Sequence, residues 1–375
     1  MAGIYIHIPF CKKACHYCNF HFSTTLKQKN EFTQALLKEI ELQSAYLSGT
    51  SINTIYFGGG TPSLLSGSEL NSIIDAIYST HSITTDVELT LEANPDDVSQ
   101  EMIRHWTSAG INRVSLGVQS FFDDDLRWMN RAHDATQSLR SIHLLQDHGI
   151  TNLSIDLIYG SPTLSDQQWK QNVDTAIRLQ IPHLSCYALT VESKTALDTM
   201  IKKKQLADVV PENQARQFQL LMEWTEYAGY EHYEISNFAK PEHRSLHNSS
   251  YWKGDHYLGL GPSAHSFNGA ERQWNVANNT LYIHSILNSI VPFEKELLSI
   301  QQQFNEYIMT AIRTIEGIDI SKIMTVYGCE MNNSLIERAN KFIETGKLIN
   351  TGQHLILSRE GKLFVDGIAA DLFAE

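Results

Sequence analysis

Cys11-Lys12-Lys13-Ala14-Cys15-His16-Tyr17-Cys18 follows at once on an apolar, alternating stretch, Ile4-Tyr5-Ile6-His7-Ile8. The alternation and the β-branched residues predict a strand, which Pro9 ends. The cysteines then occupy the loop beyond its C-terminal end. Three thiolates on one short loop can each hold one iron of a four-iron, four-sulfur cube. Such clusters normally take four thiolates, and Phe20 stands where a further cysteine could follow. Cys11, Cys15 and Cys18 are therefore the candidate metal ligands, and the fourth iron is left open for a substrate. A zinc site with His16 or His21 as fourth ligand is the alternative. Structural zinc sites usually add a second cysteine pair, and here Cys186 and Cys329 stand alone.

Working outward, strand-like and helix-like stretches alternate through the first half. Candidate strands are Ile4–Ile8, Ile52–Phe57, Asp86–Leu91, Arg113–Val118, Asn152–Ile158 and His183–Ala188. Helices are predicted over Glu31–Tyr46, Ser68–Thr80, Gln100–Ser108, Ala135–Asp147 and Ser165–Leu179. Repeated βα units imply an α/β fold with a parallel sheet and right-handed crossovers. Six units are too few to close an eight-stranded barrel. The expected architecture is a partial (β/α)6 barrel of the TIM type, with its site at the C-terminal ends of the strands.

The rhythm changes after Ala188. A helix is predicted from Pro211 to Ala228 and a boundary near Pro292 and Gln301-Gln302-Gln303. From Phe304 the pattern gives helices over Phe304–Glu316, Ile320–Tyr327 and Ser334–Thr345. Short strands over Leu348–Thr351 and His354–Leu357 and a helix over Gly361–Phe373 follow. This is a smaller, mainly helical, winged-helix-like domain without a basic recognition face. The expected division is a core over 1–235, a connecting segment over 236–300 and the C-terminal domain over 301–375.

Composition narrows the function classes. The 375 residues carry a net charge of −13, which disfavours a nucleic-acid partner, because phosphate binding wants a basic face. No apolar run is long enough to span a membrane, and the start, Met1-Ala2-Gly3-Ile4, is unlike a signal peptide. Five cysteines without a pairing pattern point to a reducing, cytoplasmic setting.

Several polar residues fall at the expected strand ends. Gly58-Gly59-Gly60-Thr61-Pro62 closes the second strand, and consecutive glycines permit close approach of a ligand. Glu92 ends the third strand and Gln119 the fourth, while Asp156 is an acid inside the apolar run Ser154-Ile155-Asp156-Leu157-Ile158. A buried carboxylate is costly without a partner. Arg131 offers positive charge to a carboxylate. Each could instead make a structural hydrogen bond or ion pair.

The C-x3-C-x2-C spacing, with an aromatic residue before the last cysteine, resembles the radical S-adenosylmethionine (SAM) superfamily. Tyr56-Phe57-Gly58-Gly59-Gly60-Thr61-Pro62-Ser63, Glu92-Ala93-Asn94-Pro95, Gly117-Val118-Gln119-Ser120, Asn130-Arg131-Ala132-His133 and Asp156-Leu157-Ile158-Tyr159-Gly160 are similar to its coproporphyrinogen-dehydrogenase branch. The resemblance implies a [4Fe-4S] cluster that binds SAM at its open iron. It also implies a SAM site formed by Tyr5, Tyr17, Gly59, Gly60, Thr61, Glu92, Gln119, Arg131, Asp156 and Ala188.

Phe20 replaces a cysteine of the porphyrinogen-oxidising members, whose N-terminal extension before the first strand is also missing. With His247-Asn248-Ser249-Ser250-Tyr251-Trp252, these departures resemble the haem-chaperone group of the branch. That group implies haem as ligand, no catalytic residue, acceptor haem proteins such as membrane-bound respiratory enzymes, and a possible homodimer. His247 is the expected haem ligand, with Cys186, Cys329 and His265 in competition. Oxygen-independent oxidative decarboxylation of coproporphyrinogen III is the enzymatic alternative, and a radical reaction on another substrate a third.

Overall fold

A computed structural model describes residues 1–374. Six parallel strands run in chain order: β1 (Ala2–Ile8), β2 (Ile52–Gly59), β3 (Ile83–Ala93), β4 (Arg113–Gln119), β5 (Leu153–Tyr159) and β6 (His183–Ala188). They pair in sequence order, and their intervening helices are α1 (Lys29–Leu42), α2 (Gly67–Thr80), α3 (Gln100–Ser108), α4 (Asp123–Trp128), α5 (Ala135–Asp147) and α6 (Asp166–Arg178). Serine or aspartate N-caps start these helices where the sequence supplies them. Ser66 with Glu69, Asp134 with Gln137 and Ser165 with Gln168 form reciprocal capping boxes, satisfying donors that a helix start leaves open.

The alternation in β1 sorts its side chains. Ile4, Ile6 and Ile8 are fully buried in the main core with Phe32, Leu36 and Ile40 of α1. Tyr5 and His7 take the other face. Leucine, isoleucine and valine of β2 to β6 continue the same core, so each strand is held by burial on its helix-facing side.

The sheet extends further than six strands. After α7 (Ala196–Lys202) and α8 (Pro211–Tyr227), a hairpin of β7 (Glu231–Glu234) and β8 (Asn237–Ala239) pairs antiparallel with β6. The chain then crosses as α9 (Leu246–Lys253) and enters β9 (His256–Leu260), which pairs parallel with the outer side of β1. Strands β10 (His265–Phe267), β11 (Glu271–Asn275) and β12 (Phe293–Leu297) follow antiparallel, with α10 (Asn279–Leu287) between the last two. Among the described residues β9 thus adds a seventh parallel strand beside the six expected, in an open sheet of twelve. Glu39 of α1 fastens this extension. Its buried carboxylate accepts from Gly261 N at 2.7 Å, Asn275 Nδ2 at 2.6 Å and Tyr282 Oη at 2.5 Å.

The C-terminal part has α11 (Ile300–Ala311), β13 (Ile318–Asp319), α12 (Ile320–Glu344), β14 (Leu348–Asn350), β15 (His354–Leu357) and α13 (Val365–Leu372). Phe304, Ile308, Ile323, Leu335, Leu355 and Ile368 belong to its own buried cluster. The two helices expected over Ile320–Tyr327 and Ser334–Thr345 run on across a kink at Gly328, where φ is 89°. Backbone bonds from Ile235 N to Arg313 O and from Ile315 N to Tyr233 O join this part to the β7 hairpin.

Candidate active site

All the strands from β1 to β6 point their C-terminal ends the same way, and a cavity of about 430 Å3 opens there. Cys11, Cys15 and Cys18 line one side of it. Tyr17, Gly59, Gly60, Thr61, Glu92, Gln119, Arg131, Asp156 and Ala188 line it as well. Of the residues that the resemblance implied for SAM, Tyr5 alone is not a lining residue. Its hydroxyl lies 3.3 Å from His7 Nδ1 and its ring stacks on Tyr56 and His247.

The cysteine loop is clamped by its neighbours. Lys12 pairs with Asp96, at 2.9 Å, and with Asp97, which also accepts from Ser63 Oγ. Asn130 Nδ2 donates to Ala14 O at 2.7 Å, and His16 Nδ1 to Trp128 O at 2.9 Å. His21 Nε2 lies 2.7 Å from Asn279 Oδ1. Both histidines considered as zinc ligands therefore have other partners. No group of three or more His, Cys, Asp or Glu side chains among the described residues converges as one metal ion requires. Thiolates holding different irons of a cube need no common point. The set fits a cluster.

The triple glycine has a steric cause. A Cβ on Gly60 would lie 2.7 Å from both the Ile8 and Phe10 carbonyls, and Gly59 has a φ of 101° with the His7 ring behind it. These glycines let the loop after β2 lie on the backbone that leads into the cysteines. Gln119 is not a glycine, yet its φ is 67°. Left-handed backbone in such a residue is uncommon and gathers at functional sites.

Charge in the cavity is organised around Arg131. Its guanidinium donates to Cys15 Sγ at 3.2 Å, to Tyr17 Oη at 3.4 Å, to Asn94 Oδ1 at 2.6 Å and to Gly117 O at 2.9 Å. Its Nε is buried without a partner, a donor left for an anionic ligand. Opposite in sign, Glu92 accepts from Tyr56 Oη at 2.7 Å, and burial pushes its carboxyl up to about 7. Burial likewise pushes Asp156 up to about 6. Two acids that resist ionisation in the free protein suit a cationic ligand, whose charge would stabilise the carboxylates. The methionyl carboxylate, ammonium and sulfonium of SAM match this set.

Asn94, Ser115 and Tyr187 also line the cavity and were missed. Asn94 had a signal, since it lies two residues after Glu92 in Glu92-Ala93-Asn94-Pro95. The other competitors for haem lie apart. Cys186 is buried in the main core, Cys329 is exposed on α12, and His265 stacks on Trp274.

His247 is placed against expectation. It is 1% exposed, inside the sheet near the start of β2. Nδ1 lies 2.8 Å from Thr54 Oγ1, Nε2 lies 3.0 Å from Tyr251 Oη, and the ring stacks on Tyr56 at 4.9 Å. Glu88 accepts from the Leu246 and His247 amides at 3.0 and 2.9 Å, tying the start of α9 into the sheet. Burial, then the nearby Arg113 charge, hold the imidazole neutral, down to about 3. Both ring nitrogens are engaged by protein, so in this fold His247 packs in the sheet and supports Tyr251.

A family model described as the radical SAM superfamily matches residues 5–176. Two relatives share 32% identity. The haem chaperone HemW of Mycobacterium tuberculosis aligns over 99% of this chain and 94% of its own length. That of Bacillus subtilis aligns over 97% of both. The chain belongs to the HemW family of radical SAM proteins. Among solved structures, coproporphyrinogen III oxidase (HemN) from Escherichia coli superposes with a TM-score of 0.87 at 20% identity, over 100% of this chain and 90% of that one. That likeness establishes the fold. Radical SAM membership implies a [4Fe-4S] cluster and SAM as cofactors. No helix among the described residues is long and apolar enough to cross a membrane.

Proposed function

We propose that this protein is a haem chaperone: it binds haem and hands it to acceptor haem proteins, respiratory enzymes among them. The carrying observation is the family itself, since relatives named as haem chaperones align over nearly the whole chain. Cys11, Cys15 and Cys18 would hold the cluster, and Tyr17, Gly59, Gly60, Thr61, Glu92, Gln119, Arg131, Asp156 and Ala188 would hold SAM. Tyr5 would act from behind, by fixing Tyr56 and through it Glu92. The cytoplasm is the proposed location, and acceptors are met by protein contact.

When bound, cluster and SAM supply reductive cleavage of a sulfonium. The chain's own residues have narrower tasks. Arg131 neutralises charge at Cys15 and positions the Tyr17 side of the loop. Glu92 and Asp156 take or release protons as a cationic ligand leaves or arrives. Gly59 and Gly60 keep the loop after β2 against the cysteine loop.

Haem titration of the anaerobically reconstituted protein tests the reading. Near-stoichiometric binding that survives gel filtration is expected. Failure to bind haem, with release of protoporphyrinogen from coproporphyrinogen III, would replace it with the enzymatic alternative.

A further inference from the structure

With His247 occupied, the haem-chaperone reading needs another site. A slot between the sheet edge and the C-terminal helices has the right chemistry. Tyr251, Tyr257 and Phe267, from α9, β9 and β10, line it together with Tyr307 and Tyr327, from α11 and α12. Tyr251 and Tyr257 meet edge to face at 4.6 Å, and Tyr307 and Tyr327 stack at 6.4 Å. Two lobes, of about 280 and 350 Å3, adjoin at Lys253, Tyr307 and Lys322, which line both.

Charge and open donors add to the shape. Arg244 pairs with Glu231 and Glu316, and Arg272 with Glu306. Among the described residues Lys253 and Lys322 enter no ion pair, although the chain is strongly acidic. Lys322 Nζ lies 4.1 Å above the Tyr307 ring. The larger lobe also holds Ser249 and Trp252, whose Oγ and Nε1 are buried without partners. Buried donors of this kind call for an acceptor. His354, on β15, lines the same lobe, and its ring makes no hydrogen bond to another described residue.

We propose that this slot is the haem site, with the macrocycle against the aromatic residues of the smaller lobe, propionates at Lys253 and Lys322 where the lobes meet, and His354, in the adjoining lobe, for the iron. The inference deepens the haem-chaperone reading and rests on it. A flat apolar plate suits an aromatic lining, two carboxylates suit ammonium groups outside any ion pair, and an imidazole suits haem iron. The slot also accounts for the H-N-x-x-Y-W stretch without making His247 a ligand. Tyr251 and Trp252 reach the slot, while His247 holds Tyr251 from behind.

The full-length protein, reconstituted with its cluster, is titrated with haem as the wild type, as Lys253→Glu/Lys322→Glu and as His354→Ala. All three positions lie at the surface or half-exposed, and circular dichroism with cluster absorption verifies folding. Charge reversal is expected to weaken binding at least about tenfold, as loss of two charge-assisted contacts implies. His354→Ala is expected to shift the Soret band and the electron paramagnetic resonance of ferric haem. Wild-type binding with both variants unchanged overturns the slot and leaves the chaperone reading standing. No haem binding by the wild type overturns the chaperone reading itself.

Discussion

Replacing His247 with alanine separates a packing role from a ligand role. In the fold its ring fills space between Tyr56, Tyr5 and Tyr251, and both nitrogens lie within hydrogen-bond distance of hydroxyls. Truncation strands Thr54 Oγ1 and Tyr251 Oη, at about 1 kcal/mol or more each. Removing most of a buried ring adds about 2 kcal/mol for lost contacts and cavity. The sum is roughly 3–5 kcal/mol. A shift of about 2 °C per kcal/mol, at the low end for large domains, gives a melting temperature lower by ~6–10 °C. Differential scanning calorimetry of the cluster-free protein reads this directly. The haem spectrum of the variant should keep the wild-type axial signature, although affinity falls because Tyr251 loses its support. A variant as stable as the wild type, with the axial imidazole signature gone, would refute the packing role and restore His247 as the ligand.

Three further outcomes follow from the cavity. Any of Cys11→Ser, Cys15→Ser or Cys18→Ser should abolish the [4Fe-4S] absorption and bring iron content from about four per chain to near zero; retention of a full cluster by all three would contradict the ligand set. Gly60→Ala forces a Cβ against the Ile8 and Phe10 carbonyls, so cluster yield should fall by more than about half while the remaining fold keeps its circular dichroism; an unchanged yield would show the contact to be slack. SAM affinity should rise with pH between about 5.5 and 7.5 and then level, because Glu92 and Asp156 must lose protons held up to about 7 and 6. Calorimetry in buffers of different ionisation enthalpy should register proton release, and Glu92→Gln should flatten the profile.

The same raised values bear on stability. A carboxyl whose folded-state value is raised contributes fully below its ordinary range, and that contribution is lost as pH rises through the folded value. For Glu92 the loss falls between about 4.5 and 7, and for Asp156 between about 3.8 and 6. Buried His7 and His133, both down to about 4, act in the opposite sense. Their contribution is complete above about 6.5 and is lost as pH falls toward 4. These opposed contributions largely offset one another between about pH 4 and 6.5, and Glu92→Gln, which removes one of the carboxyls, should gain relative to wild type above about pH 7.

The parallel core was legible because each strand is a local apolar run with a turn signal after it. The site was legible because residues at the C-terminal ends of such strands converge whatever the loops do. Glu92, Gln119 and Asp156 needed only their place in the strand to be assigned to the cavity. Depth along the strand was harder. Tyr5 shares the inward face of β1 but lies too far from its end to reach the cavity, and alternation does not reveal that distance. The extension through β9 was hidden because His256–Leu260 pairs with β1, about 250 residues earlier in the chain. The surroundings of His247 were hidden for a related reason. Its neighbours Tyr251 and Trp252 suggested an aromatic ligand pocket, but only the path of α9 shows that the imidazole turns into the sheet while Trp252 faces the other way. The slot at Lys253, Tyr307 and Lys322 joins residues far apart in sequence, and no local pattern announces it.

Transfer of haem is the most direct test of the central claim. The reconstituted protein, loaded with one haem and freed of excess, is mixed anaerobically with an apo haem protein whose Soret band differs from its own. Movement of the band to the acceptor, with no porphyrinogen oxidised when coproporphyrinogen III and SAM are supplied instead, is the predicted result. Haem that stays on the protein or never binds, together with steady formation of protoporphyrinogen, would contradict it.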